Sequence, residues 1–239
     1  MVKFMDDEYV KLQIRTREFC SNSVSLSEEE NRTLLKDLLR AMCIEEDSKK
    51  RNQLEQMVAL VRHSSEINTT GYHFFLGNTA YDAYGSGDAV FAEFLFRRAY
   101  ELSSESDIYS NNLAYVLRKS RNNPLNSNEI IMLLLPGVQK HDPFCLINMG
   151  LLFALSLSEP DDWRTADDLF SLLPNSLVGA EDWWEELGKK GDLEGWLVHF
   201  FLLRHEKIDH SDLGSIKSLA QRLAQHIDGF PDWLAKDYI

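Results

Sequence analysis

The chain has 239 residues and a formal net charge of −13, from 38 acidic and 25 basic side chains. Apolar residues make up 44% of it, with only 12 Gly and 6 Pro, so we expect a chain that folds throughout. The acidic balance repels phosphate backbones, which argues against direct binding of nucleic acid and favours a basic protein partner. Solubility alone is the other explanation of this acidity.

Cysteine spacing and hydropathy bear on the compartment. The three cysteines lack metal-type or redox-type spacing and indicate reduced thiols: Cys20, Cys43 and Cys145. Acids lie near the start of the chain, where a signal peptide would be basic and then apolar. The longest apolar stretch, 146–157, is interrupted by Asn148 and Ser156 and is too short to span a bilayer. We therefore expect a soluble cytoplasmic protein.

The first 64 residues carry apolar side chains at helical spacing. Residues 2–20 predict one helix. Ser27 and Glu30 have the spacing of a capping box, which predicts a helix start. A charged break at 45–50 interrupts the apolar pattern, so the segment 27–64 predicts two helices in a hairpin rather than one long helix.

The stretch 71–102 has the pattern of a helical hairpin. Ala92 and Phe96 lie at i and i+4 on one face of its second helix. The Gly-Ser-Gly segment 85–87 interrupts helical structure, and Asp88 is suited to cap the helix that begins after it.

A small residue recurs along the chain at intervals of 37, 36 and 38 residues. The four positions are Gly77, Ala114, Gly150 and Gly188. The Ala92/Phe96 pair recurs as Ala166/Phe170, 74 residues later. A period of this length is typical of helical solenoids, in which each repeat packs on its neighbours. We therefore predict an all-α fold, an antiparallel helix-hairpin solenoid, with Pro124 breaking the chain inside the second repeat.

At these positions the chain resembles the tetratricopeptide and Sel1-like repeat families. Trp184-x-x-Leu187-Gly188 and Ala92-x3-Phe96-x2-Ala99 match the family pattern, and Leu76-Gly77 with the turn 85–87 is similar to the Sel1-like variant. The resemblance implies N-terminal capping helices over 1–69, repeats of about 37 residues over 70–205 and a C-terminal capping helix over 206–239, in one continuous domain. A fourth repeat over 184–205 is left open.

Catalytic and metal-binding patterns are missing from the sequence. None of the seven histidines forms H-E-x-x-H, and no G-x-S-x-G is present. The segment 85–88 lacks the Lys-Ser/Thr of a phosphate loop. Adjacent acids on a helix point about 100° apart and do not converge on a substrate. We expect no catalytic residue, no metal and no cofactor.

The resemblance also implies a concave groove lined by the first helix of each repeat. Carried onto matching positions, the groove comprises Phe74, Asn78, Tyr81, Asp82, Asn111, Tyr115, Arg118, Lys119, Ile147 and Leu151. Packing between repeats is the alternative for Tyr81 and Tyr115.

Trp184 and Glu185 complete the partner-binding candidates, because Trp is enriched in interfaces and the acidic pairs suit a basic partner. Core packing is the alternative role for the tryptophans. Trp183 and Trp184 are adjacent and cannot both face one interior, so we expect one of them to be exposed.

These features together predict a non-catalytic protein that binds a protein partner through its solenoid surface. Fold analogy suggests an immunity-type inhibitor that neutralises a basic toxin domain, or an adaptor or chaperone. A regulatory domain that senses a peptide or small ligand is the alternative from another class.

Overall fold

The computed structural model describes residues 2–21, 27–64, 69–103, 107–120, 127–157, 159–175, 177, 180–236 and 238. All regular structure in this part of the chain is helical, which confirms the all-α prediction. The α-helices are α1 (Val2–Cys20), α2 (Glu28–Ile44), α3 (Ser48–Ser64), α4 (Thr69–Gly85), α5 (Ala89–Leu102), α6 (Asp107–Ser120), α7 (Ser127–Gln139), α8 (Pro143–Leu152), α9 (Pro160–Ser171), α10 (Ala180–Lys189), α11 (Leu193–Arg204), α12 (Ile216–His226) and α13 (Asp232–Ala235).

Most close packing joins helices that are neighbours along the chain, as in a helical repeat. The contacts divide the chain into two compact units, Met1–Tyr109 and Ser110–Ile239. The solenoid arrangement, the capping roles and the predicted boundaries after 69 and 205 stay predictions.

In the first unit, helix starts agree with the predicted local signals. Ser27 Oγ accepts from the Glu30 N–H at 3.3 Å, and the Glu30 carboxylate accepts from the Ser27 N–H at 2.8 Å, which confirms the capping box. The chain leaves helical structure at 45–47, so two helices form there rather than one. The capping box determines the residue at which α2 begins. The position of that first residue in turn determines which side chains of α2 face the core.

The predicted hairpin of α4 and α5 is confirmed. Asp88 caps α5 by accepting from the Phe91 N–H at 3.1 Å, and Gly87 adopts a φ of +85° in the turn. Ala92 and Phe96 are fully buried between the helices.

In the second unit, large aromatic side chains fill the core. The rings of Phe170 and Phe201 stack at 4.4 Å between centroids, and Trp163 is fully buried. A Cβ added to Gly150 would lie 2.6 Å from Phe170 Cε2, so only glycine permits this approach of α8 to α9. The small residue of the third predicted repeat therefore has the packing role that its spacing indicated.

Three details of the second unit were not predicted from the sequence. Helix α8 continues as a π-helix, Phe153–Leu157. Helix α9 begins at Pro160, which suits the first helical position because the missing N–H is no loss there. Helix α12 begins at Ile216, after Gly214 at a φ of +123°.

The predicted break at Pro124 lies outside the described residues. Within the described part, α7 packs chiefly on α8 rather than on α6. The helices seen there do not include one with both the length and the apolar character needed to cross a bilayer.

Candidate protein-binding surfaces

Helix α4 presents an exposed aromatic face, which we call the α4 face and define as Phe74, Asn78, Tyr81 and Asp82. These residues lie at i, i+4, i+7 and i+8, so they share one side of the helix. Phe74 is 63% exposed and Tyr81 is 52% exposed. The Tyr81 ring packs edge-on against the Phe96 ring of α5, with 5.4 Å between the ring centroids. All four were predicted to line a groove, and all four are exposed.

The opposite side of α4 explains why these side chains point outward. Tyr72, Leu76 and Ala80 are completely buried, and Phe75 and Ala83 nearly so. With that stripe packed, the remaining side of the helix must face solvent.

Helix α6 places its predicted residues differently. Asn111 and Arg118 are buried, and Tyr115 and Lys119 are half-buried. The Arg118 guanidinium donates to both oxygens of Glu194, at 2.5 and 2.9 Å. It therefore faces the protein interior rather than an open groove.

Two asparagines extend this pair into what we call the buried polar network: Asn111, Arg118, Asn148 and Glu194. Arg118 Nη2 donates to Asn148 Oδ1 at 3.1 Å, and Asn148 Nδ2 donates to Asn111 Oδ1 at 2.9 Å. The network thus links α6, α8 and α11. A bidentate Arg–carboxylate pair with further hydrogen bonds fixes the register of the helices that carry it.

Charge balance keeps the network ionised. Burial raises the pKa of Glu194, but the charges and hydrogen bonds of Arg118 and Lys119 outweigh burial and hold that pKa below its ordinary value. Lys119 Nζ lies 3.3 Å from both Asp192 and Glu194, beside a cavity of about 390 Å³. The network therefore holds α6, α8 and α11 together through hydrogen bonds and an ion pair.

Helix α10 exposes one of its two adjacent tryptophans, as expected. Trp183 is 49% exposed, whereas Trp184 is 1% exposed and packs edge-on against Tyr115 at 6.4 Å. Glu185 is half-buried and accepts from the Asp212 N–H at 2.9 Å. We therefore correct the placement of Trp184: the indole available at the surface is that of Trp183.

The exposed side of α10 is acidic, and we call it the α10 face: Asp182, Trp183 and Glu186. All three are exposed. Lys189 Nζ lies 3.4 Å from Glu185, 3.4 Å from Glu186 and 3.3 Å from Asp212, so it contacts three carboxylates at once.

The sequence analysis did not choose Trp183 over Trp184 and did not predict the buried roles of Asn148 and Glu194, although each has a signal. The pattern Trp184-x-x-Leu187-Gly188 is a packing stripe, so it turns Trp183 about 100° away from the interior. Glu194 is the only acid in the apolar segment 193–203, and Asn148 interrupts another apolar run. A polar side chain within an apolar segment indicates a hydrogen-bonding partner in the protein interior, because burial of a polar group without such a partner is costly.

His199 is a buried histidine of α11 with a hydrogen-bond partner at each ring nitrogen. Its Nε2 faces the Glu181 carbonyl at 3.2 Å, which assigns the ring proton to Nε2, and its Nδ1 accepts from Ser211 Oγ at 2.8 Å. The Ser211 hydroxyl also accepts from the Leu213 N–H at 3.2 Å. Burial lowers the pKa of His199, although the Glu181 carbonyl and nearby carboxylates oppose the shift. These bonds attach the loop after α11 to the core, and we assign the pair an anchoring role.

The described side chains include no group of three or more His, Cys, Asp or Glu placed to hold a metal ion. The geometry thus offers two exposed faces, on α4 and α10, and one buried network. Binding of a partner by the twelve candidate residues stays a prediction. Comparison of the chain with protein-family models, curated proteins and solved structures finds no match.

Proposed function

We propose that this protein is a non-catalytic binding protein that contacts a protein partner through the α4 face. The observation that carries the proposal is the exposure of Phe74, at 63%, on a helix whose other side is fully packed. Large aromatic side chains on a rigid support are typical interface anchors, because little conformational entropy is lost when they are covered.

The spacing within the α4 face supports this function. Phe74 and Tyr81 are seven residues apart, which is about 10 Å along a helix. Asn78 lies between them and supplies both a hydrogen-bond donor and an acceptor. Two aromatic anchors with an amide between them suit a partner helix or an extended segment.

Within this class we propose a tetratricopeptide- or Sel1-like solenoid, supported by the hairpin of α4 and α5 and by the close approach at Gly150. The net charge of −13 favours a basic partner, and an immunity-type inhibitor of a toxin domain is the narrower form of the proposal. The free thiols of the three cysteines fit the cytoplasm.

Affinity capture from a lysate of the native host, read by quantitative mass spectrometry, tests the proposal. The bait is the full chain, compared with the double variant Phe74→Ala/Tyr81→Ala. We expect one stoichiometric partner, bound at least tenfold more weakly by the double variant, because loss of a single anchor costs about 2 kcal/mol. Met132→Ala is the matched control, since Met132 is 68% exposed in the other unit.

Circular dichroism must first show that each variant retains the wild-type helix content. Arg118 is unsuitable as a test of binding, because Arg118→Glu would place a second carboxylate against buried Glu194. Capture of the partner at full strength by the double variant would refute a role for the α4 face. Failure to capture any stoichiometric partner would refute the binding function itself.

A further inference from the structure

The negative charge of this chain is concentrated in one segment. Residues 159–186 contain nine acids and a single basic residue, Arg164, a net charge of −8 out of the total of −13. Four of these acids fall within the first seven residues of α10: Glu181, Asp182, Glu185 and Glu186. The helix dipole favours acids in the first turn only, so it does not account for Glu185 and Glu186.

Like charges at i and i+4 repel each other on a helix. Asp182 and Glu186 have this spacing, as do Glu181 and Glu185. Lys189 pairs with Glu185 and Glu186 and offsets part of this repulsion, whereas Asp182 has no such ion pair with a described residue. Trp183 stands among these acids with its indole 49% exposed.

Lys189 shows that an ammonium group fits beside these carboxylates. Its Nζ contacts Glu185, Glu186 and Asp212 at 3.3 to 3.4 Å. The side chain of Glu186 is still 62% exposed, and Asp182 forms no ion pair with any described residue. The α10 face therefore keeps carboxylate oxygens available to an incoming cation.

We infer that the α10 face binds a basic segment of the partner, with an arginine or lysine side chain against the Trp183 ring and paired with Asp182 and Glu186. The inference rests on the proposed binding function but uses a separate surface. An indole face attracts a cation through its quadrupole, and flanking carboxylates add a charge-assisted hydrogen bond. The flat guanidinium of arginine satisfies both contacts better than the ammonium of lysine does.

The probe is a synthetic peptide, acetyl-(Gly-Arg)6-amide, titrated into the ¹⁵N-labelled full chain, with acetyl-(Gly-Glu)6-amide as the matched control. The five tryptophan indole N–H signals provide the readout, assigned by single Trp→Phe variants. We expect the arginine peptide to shift the Trp183 signal. Trp163 and Trp184, each 1% exposed, are internal controls whose signals should not move.

Variants give effects of opposite sign. Trp183→Ala should weaken peptide binding about twofold to fivefold, as expected for an exposed cation–π contact. Asp182→Asn/Glu186→Gln should weaken it further, whereas Lys189→Gln should strengthen it by removing a competing cation. Raising NaCl from about 0.1 to 1 M shortens the Debye length from about 10 to 3 Å and should abolish most of the binding.

The inference is overturned if the arginine peptide leaves the Trp183 signal unmoved, if the glutamate peptide moves it equally, or if Lys189→Gln weakens binding. Phe74→Ala/Tyr81→Ala separates this inference from the proposed function. That variant should bind the arginine peptide normally even if it loses the native partner, so each proposal can fail without the other.

Discussion

Arg118 and Glu194 form a buried ion pair, with side chains 3% and 10% exposed. Removal of Glu194 leaves Arg118 as an uncompensated buried charge, and removal of Arg118 leaves Glu194 with Lys119 as its remaining cation. We therefore predict that Arg118→Met or Glu194→Leu alone lowers the free energy of unfolding by about 3 to 5 kcal/mol. Urea denaturation followed by tryptophan fluorescence measures this, because all five tryptophans lie in the unit Ser110–Ile239.

The double variant Arg118→Met/Glu194→Leu sharpens this test. An apolar pair of similar volume removes both charges, so the double variant should recover most of the lost stability. Arg164→Ala is the control for an exposed pair, since Arg164 and Asp161 are 70% and 90% exposed and should contribute less than about 1 kcal/mol. If the single variants lose as little free energy of unfolding as Arg164→Ala does, the Arg118–Glu194 pair does not anchor the helices that carry it.

At the scale of the element, Phe96 joins α5 to α4. Its side chain is 1% exposed and contacts the Tyr81 ring. Phe96→Ala should lower the free energy of unfolding of this unit by about 3 to 5 kcal/mol, because it removes a buried ring and leaves a cavity. Far-UV circular dichroism during thermal unfolding is the measurement. Val90→Ala on the same helix is the control, since Val90 is 71% exposed, and an unmoved transition for Phe96→Ala would contradict the hairpin packing.

Helix positions could be predicted because their signals are local. Ser27, Asp88 and Asp192 cap helices through hydrogen bonds within three residues along the chain, so spacing alone locates them. The π-helix at Phe153–Leu157 has no such signal. It is a local variation in hydrogen bonding, which apolar spacing does not register.

The candidate surfaces were only partly predictable, because some of their residues contact partners that are distant along the chain. The α4 face was predicted only through the resemblance to the repeat families, because large apolar side chains lie on both the buried and the exposed side of α4. Arg118 was expected at a surface and is buried instead, since its partners lie 30 and 76 residues away. Contacts at that separation depend on how helices pack, which a single sequence does not specify.

At the scale of the whole molecule, stability should depend on pH through His199. Burial lowers the pKa of this imidazole, although the Glu181 carbonyl and the Glu185 carboxylate oppose the shift. The folded state thus favours the neutral ring, so its contribution is complete above the ordinary pKa of 6.5 and is lost as pH falls below that value. The pKa of Glu194 is lowered in the folded state. The contribution of Glu194 to stability is therefore lost only when the pH falls below the ordinary glutamate pKa of 4.5.

We predict that the free energy of unfolding decreases between pH 7 and pH 5 in the wild type and changes less in His199→Gln. Urea titrations at pH 7, 6 and 5, read by tryptophan fluorescence, measure the slope. His210→Gln should keep the wild-type slope, because the His210 side chain is exposed. Equal slopes for His199→Gln and the wild type would exclude His199 as the source of the pH dependence of stability.

The buried polar network also sets an order of events during synthesis. Glu194 comes 76 residues after Arg118, so at about 5 to 20 residues per second it leaves the ribosome roughly 4 to 15 seconds later. Until then, burial of Arg118 would leave its charge without the Glu194 carboxylate, because that residue has not been translated. We therefore expect the final docking of α6 to follow the emergence of α11 from the ribosome.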